Sequence, residues 1–482
     1  MSVWHDTYLQ TVLRPDYDYA RAHLLPHLFD ALSAHAWMLD QQGVTGAAKA
    51  LELLRELRHE PFPAYDPSIE DVFFTLDLRL GQADAQAAGA LRTALSRNDL
   101  DMTIYRLSAR SRLMRAVVRL ITLRLTLLDL ATRERETLIV AYTHHQPAQP
   151  TTLAHYLCGL ENVLARDVER LFSALTRLNL CPMGAVALGG TSFPIDRDLT
   201  AELLAFDRPI ENTYDAVSTS DWQVEIAGTI TTAATTLSRA VHDLLFWASR
   251  GLLTLADGLV QGSSVMPQKR NPVALEHART KLSKAIGASG AVVLSAHNVP
   301  FGDINDPGPD MQPPLHTMWQ EFGEAVDLLT VTLLSPGINR KKWREEAEGG
   351  EAAITELADA LAQHDQGGFR EAHAAVKALL LRLHQAGRKL SEVTGDDLTA
   401  VGVNLPEAVW RSALDPANFV ARRTTYGGPA PETISQHLTF ARQRLEADSQ
   451  QHEAATARFA AARAALADVH SDSVPTATSS AD

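Results

Sequence analysis

Apolar positions recur at helical spacing along most of this chain, and stretches that alternate apolar and polar residues are scarce. Residues 18–58 predict two helices broken near Gly43. A longer helix is predicted over 106–138, where Val117, Val118, Leu120, Ile121, Leu123 and Leu125 begin a run that places apolar side chains on most faces. Such a helix is buried on several sides at once, by neighbouring helices or by other subunits. Residues 222–257 and 273–296 predict two further long helices rich in Ala, Leu, Thr and Val. The pattern therefore predicts an all-α protein with a central bundle of long helices over 106–345. An N-terminal helical domain over 1–105 precedes the bundle. Glu348-Gly349-Gly350-Glu351 marks the junction into a smaller C-terminal helical domain over 346–467. From 468 to 482 the chain is rich in Ser, Thr, Asp and Ala and lacks an apolar face, which predicts a disordered tail.

Composition narrows the classes of function. The 482 residues are 45% apolar and 21% charged, ordinary for a soluble protein with a large core. A formal net charge of −14 argues against broad electrostatic binding to nucleic acid or anionic membrane, so an anionic ligand must be met by local cations. Cys158 and Cys181 suggest no disulfide framework or zinc pattern, and a reducing cytoplasm fits them. The first residues lack a basic region followed by an apolar stretch, so no secretory signal is expected. No apolar run reaches the roughly 18 residues of a membrane span.

The densest chemistry lies at 262–272, Gly-Ser-Ser-Val-Met-Pro-Gln-Lys-Arg-Asn-Pro. Gly262 loosens the backbone, while Pro267 and Pro272 remove donors and restrict φ, so this run predicts a polar loop. Its hydroxyls, cation and amide suit holding a carboxylate and moving a proton beside it. Ser96-Arg97-Asn98-Asp99 presents a planar fork that matches a carboxylate and an amide donor next to it, although the same residues also read as a helix cap with a solvated arginine. In Tyr142-Thr143-His144-His145-Gln146-Pro147 the prolines that follow place the histidines on a turn, where one of them can carry a proton near neutral pH. No metal is expected: His144, His145 and His155 lack an acidic partner at zincin spacing.

The 262–272 loop resembles the mobile signature loop of the aspartase/fumarase superfamily. The Thr143 to Pro150 block resembles the corresponding region of argininosuccinate lyases, as do Gly190 to Arg197, Glu211 to Ser218 and Arg422 to Glu432. The resemblance implies a three-domain fold whose central bundle forms the core of a homotetramer, with sites shared between subunits and no cofactor. It implies a carbon–nitrogen lyase that eliminates an amine from an N-substituted aspartate and releases fumarate. Ser263 would be the base, Lys269 would hold the carboxylate that takes up charge, and His144 with Glu276 would move the leaving group's proton. Ser96, Arg97, Asn98, Thr143, Ser264, Asn271 and Gln312 would bind substrate.

Departures from the family pattern fall on the leaving-group side. An Asp-Ile-x-Gly-Ser stretch is replaced at Leu28 to Leu32, and a Tyr-Asn-x-Asp-Leu-Gln-x-x-Lys stretch at Ile304 to Leu315, which loses the tyrosine and lysine. These losses remove charges that would meet an amino-acid head group. An altered amine partner is expected, as in ethylenediamine-disuccinate lyase. Arg92 reads either as meeting an extra carboxylate, which would suit a polycarboxylate substrate, or as a solvated surface arginine. Argininosuccinate lyase proper and a non-catalytic, crystallin-like relative are the alternatives.

Overall fold

The computed structural model describes residues 4–364 and 368–468, so the tail expected from 468 lies almost wholly outside the described residues. Ser96 opens α1 (Arg97–Arg133), where its side chain and that of Asp99 close a capping box. No Gly or Pro interrupts the 37 residues that follow, which span about 55 Å at 1.5 Å per residue. At the far end the chain turns through β1 (Leu138–Thr143) and β2 (Gln146–Thr152) and runs back as α2 (Leu153–Leu178). Arg110 of α1 reaches the Asn179 side chain just past the end of α2, at 2.8 Å, so these two helices are antiparallel.

Three more helices complete the bundle: α3 (Asp221–Ser249), α4 (Val273–Ala296) and α5 (Gln312–Leu334). Arg106 of α1 lies over Trp222 at the start of α3, while Tyr142 of β1 packs against Phe246 near its end, with ring centroids 5.2 Å apart. Arg133, at the end of α1, donates to Leu334 O at the end of α5. Thus α1, α3 and α5 run one way and α2 and α4 return. The starts of α1, α3 and α5 share one end of the bundle. The hairpin and the start of α4 share the other.

Several boundaries differ from the sequence expectation. Residues 18–58 contain the break at Gly43 (φ 76°), but the chain also breaks at Leu24, between Arg14–His23 and Leu25–Gln41. Pro26, in the first turn of the second helix, has no N–H with which to continue the first. The helix expected over 106–138 begins at Arg97, where Ser96 caps it, and ends at Arg133, so a border at 105/106 falls inside α1. The helix expected over 222–257 stops at Ser249, where Gly251 takes φ 66° and Leu252 N–H returns to Trp247 O. The helix expected over 273–296 is found at those residues. Arg340–Gly349 ends at the expected glycines.

Beyond that junction, residues between Leu357 and Ala413 share an apolar cluster of their own. The final helix, α6 (Pro431–Ala467), instead lies on the bundle, where Ile434, Leu438, Ala441 and Leu445 join the main core. Buried charge ties α6 to α1 and α2. Arg124 (0% exposed) donates to Glu161 (0%) at 2.9 Å and to Asp448 of α6 at 2.5 Å, and Arg444 of α6 donates to the other Glu161 oxygen at 3.2 Å. Not every apolar face is covered within one chain: Val118 and Leu125 on α1, Val293 and Leu294 on α4, and Val331 and Leu334 on α5 are exposed. Among the described residues, no helix is long and apolar enough to cross a membrane.

Candidate active site

The 262–272 segment is an exposed loop at the hairpin end of the bundle, as its glycine and prolines predict. Paired backbone bonds between Gln261 and Asn271, at 3.0 and 2.8 Å, close its base. The Asn271 side chain adds a bond to Gly262 O, and Arg270 braces the loop through Asp257 and Leu255 O. At the tip the Ser263 hydroxyl oxygen accepts N–H from Val265 at 3.3 Å and from Met266 at 3.0 Å. Donors aimed at an oxygen favour its charged form. Lys269 is exposed and pairs with no carboxylate among the described residues. Ser264 is exposed beside Ser263, and Glu276 is exposed in the first turn of α4.

The histidine block is the tip of a two-stranded hairpin, a strand pair that the sequence pattern did not predict. Thr143 and Gln146 are paired, leaving His144 and His145 as the two turn residues, with φ 51° and 60°. A two-residue hairpin turn of this hand matches the twist of its strands, at the cost of left-handed backbone that non-glycine residues rarely adopt. Thr143, His144 and His145 are exposed there, with the His145 ring edge-on to His242 of α3 at 6.2 Å. Beneath them Tyr142 meets Phe246, while Tyr156, Trp247 and Trp343 meet edge to face in sequence.

Ser96, Arg97 and Asn98 lie at the opposite end. Asp99 organises this corner. It is fully buried and accepts N–H from Ser96 (3.2 Å), Gly184 (2.8 Å) and Val186 (2.9 Å). Burial pushes its carboxyl up to about 6 against the pull of those donors. Asp99→Asn should cost about 1–3 kcal/mol, because one amide cannot accept all three N–H groups. A fall in the urea midpoint at unchanged slope checks this. Asn98 donates to Ala187 O at 3.2 Å.

Arg97 is not a solvated or free fork. Its guanidinium donates to Asp71 and, through two nitrogens, to Asp101 at 3.3 and 2.9 Å. Burial works against its charge, but Asp101 and Asp71 outweigh that and hold it above the ordinary arginine value. The carboxylates it matches thus belong to its own chain. The Asp101 partner was visible as an i, i+4 pair; Asp71, across the fold, was not. Arg97 and Gln312 together line a cavity of about 600 Å³. Gln312 is buried, with its amide on Gly308 O at 3.1 Å. Sequence reasoning missed the other polar groups of this cavity, including Asp16, Asp303, Asp310 and Tyr105.

Arg92 also corrects an expectation. It is 52% exposed and makes a two-pronged pair with Asp77 at 2.9 and 2.6 Å, so the structure offers no free cation there for an extra substrate carboxylate. One chain therefore brings the expected residues together in separate groups. Ser96, Arg97, Asn98 and Gln312 share one end of the bundle. Thr143 and His144 share the other end with the loop that holds Ser263, Ser264, Lys269 and Asn271 and with Glu276. About 55 Å of α1 separates the two ends.

Comparison with known proteins fits this architecture. A family model described as lyase matches residues 75–287, and one described as argininosuccinate lyase C-terminal matches 351–421. Argininosuccinate lyase 2 of Agrobacterium fabrum is 35% identical over 472 residues, covering 93% of this chain and 94% of that protein. The argininosuccinate lyase of Methanosarcina mazei is 33% identical, covering 87% of each chain. Among solved structures, EDDS lyase in complex with formate superposes with a TM-score of 0.87 at 27% identity, covering 94% of this chain and 93% of that one. A class II fumarase from Schistosoma mansoni, at 17% identity and a TM-score of 0.69 over 82% of this chain and 90% of its own, shares the fold. With its bundle, its loop and its hairpin accounted for, the chain belongs to the argininosuccinate lyase branch of the aspartase/fumarase superfamily and is a carbon–nitrogen lyase of that kind.

Proposed function

We propose that the chain catalyses reversible elimination of an amine from an N-substituted aspartate, with Ser263 as the base. The observation that carries this assignment is the pair of backbone N–H groups on the Ser263 oxygen. A serine hydroxyl is a poor base at its ordinary acidity, and donors on its oxygen, with Lys269 nearby in the loop, would stabilise the alkoxide. The alkoxide takes a proton from the carbon beside the carboxylate, and the electron pair spreads into that carboxylate, facing Lys269 and Asn271. The pair then forms the carbon–carbon double bond of fumarate as the carbon–nitrogen bond breaks. The leaving nitrogen takes a proton from His144, supported by Glu276, or from water. Asn98, Ser96, Thr143 and Ser264 would hold the succinyl part. Arg97, already occupied by Asp71 and Asp101, would shape the site rather than grip substrate.

The groups this chemistry needs stand at opposite ends of one chain's bundle, and apolar residues of α1, α4 and α5 are exposed. Both observations support a homotetramer in which each site draws residues from several subunits. Mixing is the test. Co-refolded His144→Ala and Asn98→Ala chains, each inactive alone, should regain a measurable fraction of fumarate formation, because some mixed sites contain neither substitution. Activity no greater than the sum of the two separate variants would refute shared sites. A second reading, argininosuccinate lyase proper, is favoured by the names of the relatives at 33–35% identity. Absorbance of fumarate during incubation with argininosuccinate separates the two readings.

A further inference from the structure

We propose that the cleft between the helix Arg14–His23, the middle of α1 and the start of α5 binds a small multivalent oxyanion of the phosphate class. The inference goes beyond the reaction proposed above and does not depend on it. Arg112, Arg115 and Arg119 share one face of α1, at i, i+3 and i+7. With His23 they line a cavity of about 160 Å³, bounded on the α5 side by His316 and Gln320. Among the described residues no carboxylate lines it. Gly323 of α5 has no side chain and so leaves room for the Arg119 guanidinium, which a Cβ there would meet.

The arginines at 92, 97 and 124 are all spent on carboxylates of their own chain. This cluster is different. Arg112 donates to the Tyr19 hydroxyl at 3.2 Å and pairs with no carboxylate among the described residues. Arg115 is exposed and makes neither a hydrogen bond nor an ion pair among them. Arg119 alone is paired, with Asp327 at 3.0 Å. Two uncompensated guanidinium groups thus stand side by side in a chain of net charge −14. The His23 and His316 rings close on each other beside them, with centroids 4.4 Å apart. Gathering these groups has a cost. Burial and then Arg112 hold both rings below the ordinary histidine value. Burial, then Arg112 and Arg119, hold Arg115 below the ordinary arginine value.

A bound anion would turn that repulsion into attraction. Guanidinium groups meet phosphate oxygens through paired N–H donors. A phosphate monoester carries about −1.5 to −2 charge near neutral pH, which matches the two unpaired arginines, whereas a single carboxylate matches one. Occupancy would also tie together elements that shape the neighbouring cavity. Tyr19 passes the Arg112 contact on, donating to Gln312 O at 3.4 Å. Asp16, Tyr17 and Tyr19 of the same helix line the cavity beside Arg97. A bound anion should therefore steady the helix Arg14–His23 against α5.

Isothermal titration of the full chain with inorganic phosphate, glycerol 3-phosphate and citrate, against sodium chloride at matched ionic strength, tests the proposal. Phosphate or its ester should bind saturably at one site per chain, and the tighter of the two identifies the free ion or an ester as the occupant. Arg115→Gln removes an exposed side chain without a partner, so it should fold normally. It should weaken binding at least about tenfold, the scale of one charge-assisted contact. Lys377→Gln makes the same charge change on an exposed position of the helix Phe369–Gln385 and should leave binding unaltered. Hydrogen exchange gives a second readout: phosphate should slow exchange in residues 14–23 and 312–320 of the wild type, and much less in Arg115→Gln. Citrate binding as tightly as phosphate, equal losses in the two variants, or heats no larger than those of chloride would overturn the proposal. Saturable binding with unchanged exchange would keep the site and overturn its grip on the helix.

Discussion

Replacing Ser263 with alanine should lower kcat at least about 100-fold while leaving secondary structure and elution volume unchanged, because a positioned proton-transfer group contributes about 10²–10⁴-fold. The substitution removes one oxygen from an exposed loop. It frees the N–H groups of Val265 and Met266 to water, where they carry little penalty. The base of the loop is held independently by Gln261, Asn271 and Arg270, so the backbone should keep its course. Steady-state fumarate formation, with circular dichroism and size-exclusion as controls, checks this. A variant with near-normal turnover would move the base to another group. A loss confined to KM would make Ser263 a binding group.

The second large effect is on stability. Glu161→Ala should destabilise the protein by about 3–5 kcal/mol, the usual result of removing one partner from a buried ion pair. Arg124 is fully buried and would keep only Asp448, while Arg444 would lose its carboxylate. The pair joins α1 to α2, and its neighbours on α6 pin the last helix to the bundle. Replacing both charges by apolar residues, Arg124→Met with Glu161→Leu, should recover most of the loss, since desolvating the pair offsets much of its attraction. Urea unfolding of the singles and the double at constant protein concentration measures the coupling. A single variant within 1 kcal/mol of the wild type would mean that water reaches Arg124 after all.

The candidate site divides into parts that local chemistry specifies and parts that it does not. Gly262, Pro267 and Pro272 leave residues 262–272 few options but a loop, and the structure places a loop there. Ser96 and Asp99 have the spacing of a capping box, and they form one. The prolines after His145 called for a turn, and the histidines occupy it. The strands on either side of that turn were missed, because Leu138 reads as the end of the preceding helix and the short run after it carries too little periodicity to mark a strand. Arg97 and Arg92 show the opposite limit. Each has the fork that suits a substrate carboxylate, and each spends it on an aspartate of its own chain.

Residues close in sequence indicated the long helices, the cap at Ser96, the polar loop and the family, since caps, φ restrictions and motif spacing act over a few residues. Tertiary structure decided which charges meet across the fold. Arg124 reads as one of several polar positions along α1 until α6 folds over it. Aspartates from distant stretches form an acidic cavity only once the connection between α4 and α5 crosses the N-terminal helices. The physical reason is range: electrostatics inside a protein depends on distance through space and on burial, and neither is written in the spacing of residues along the chain.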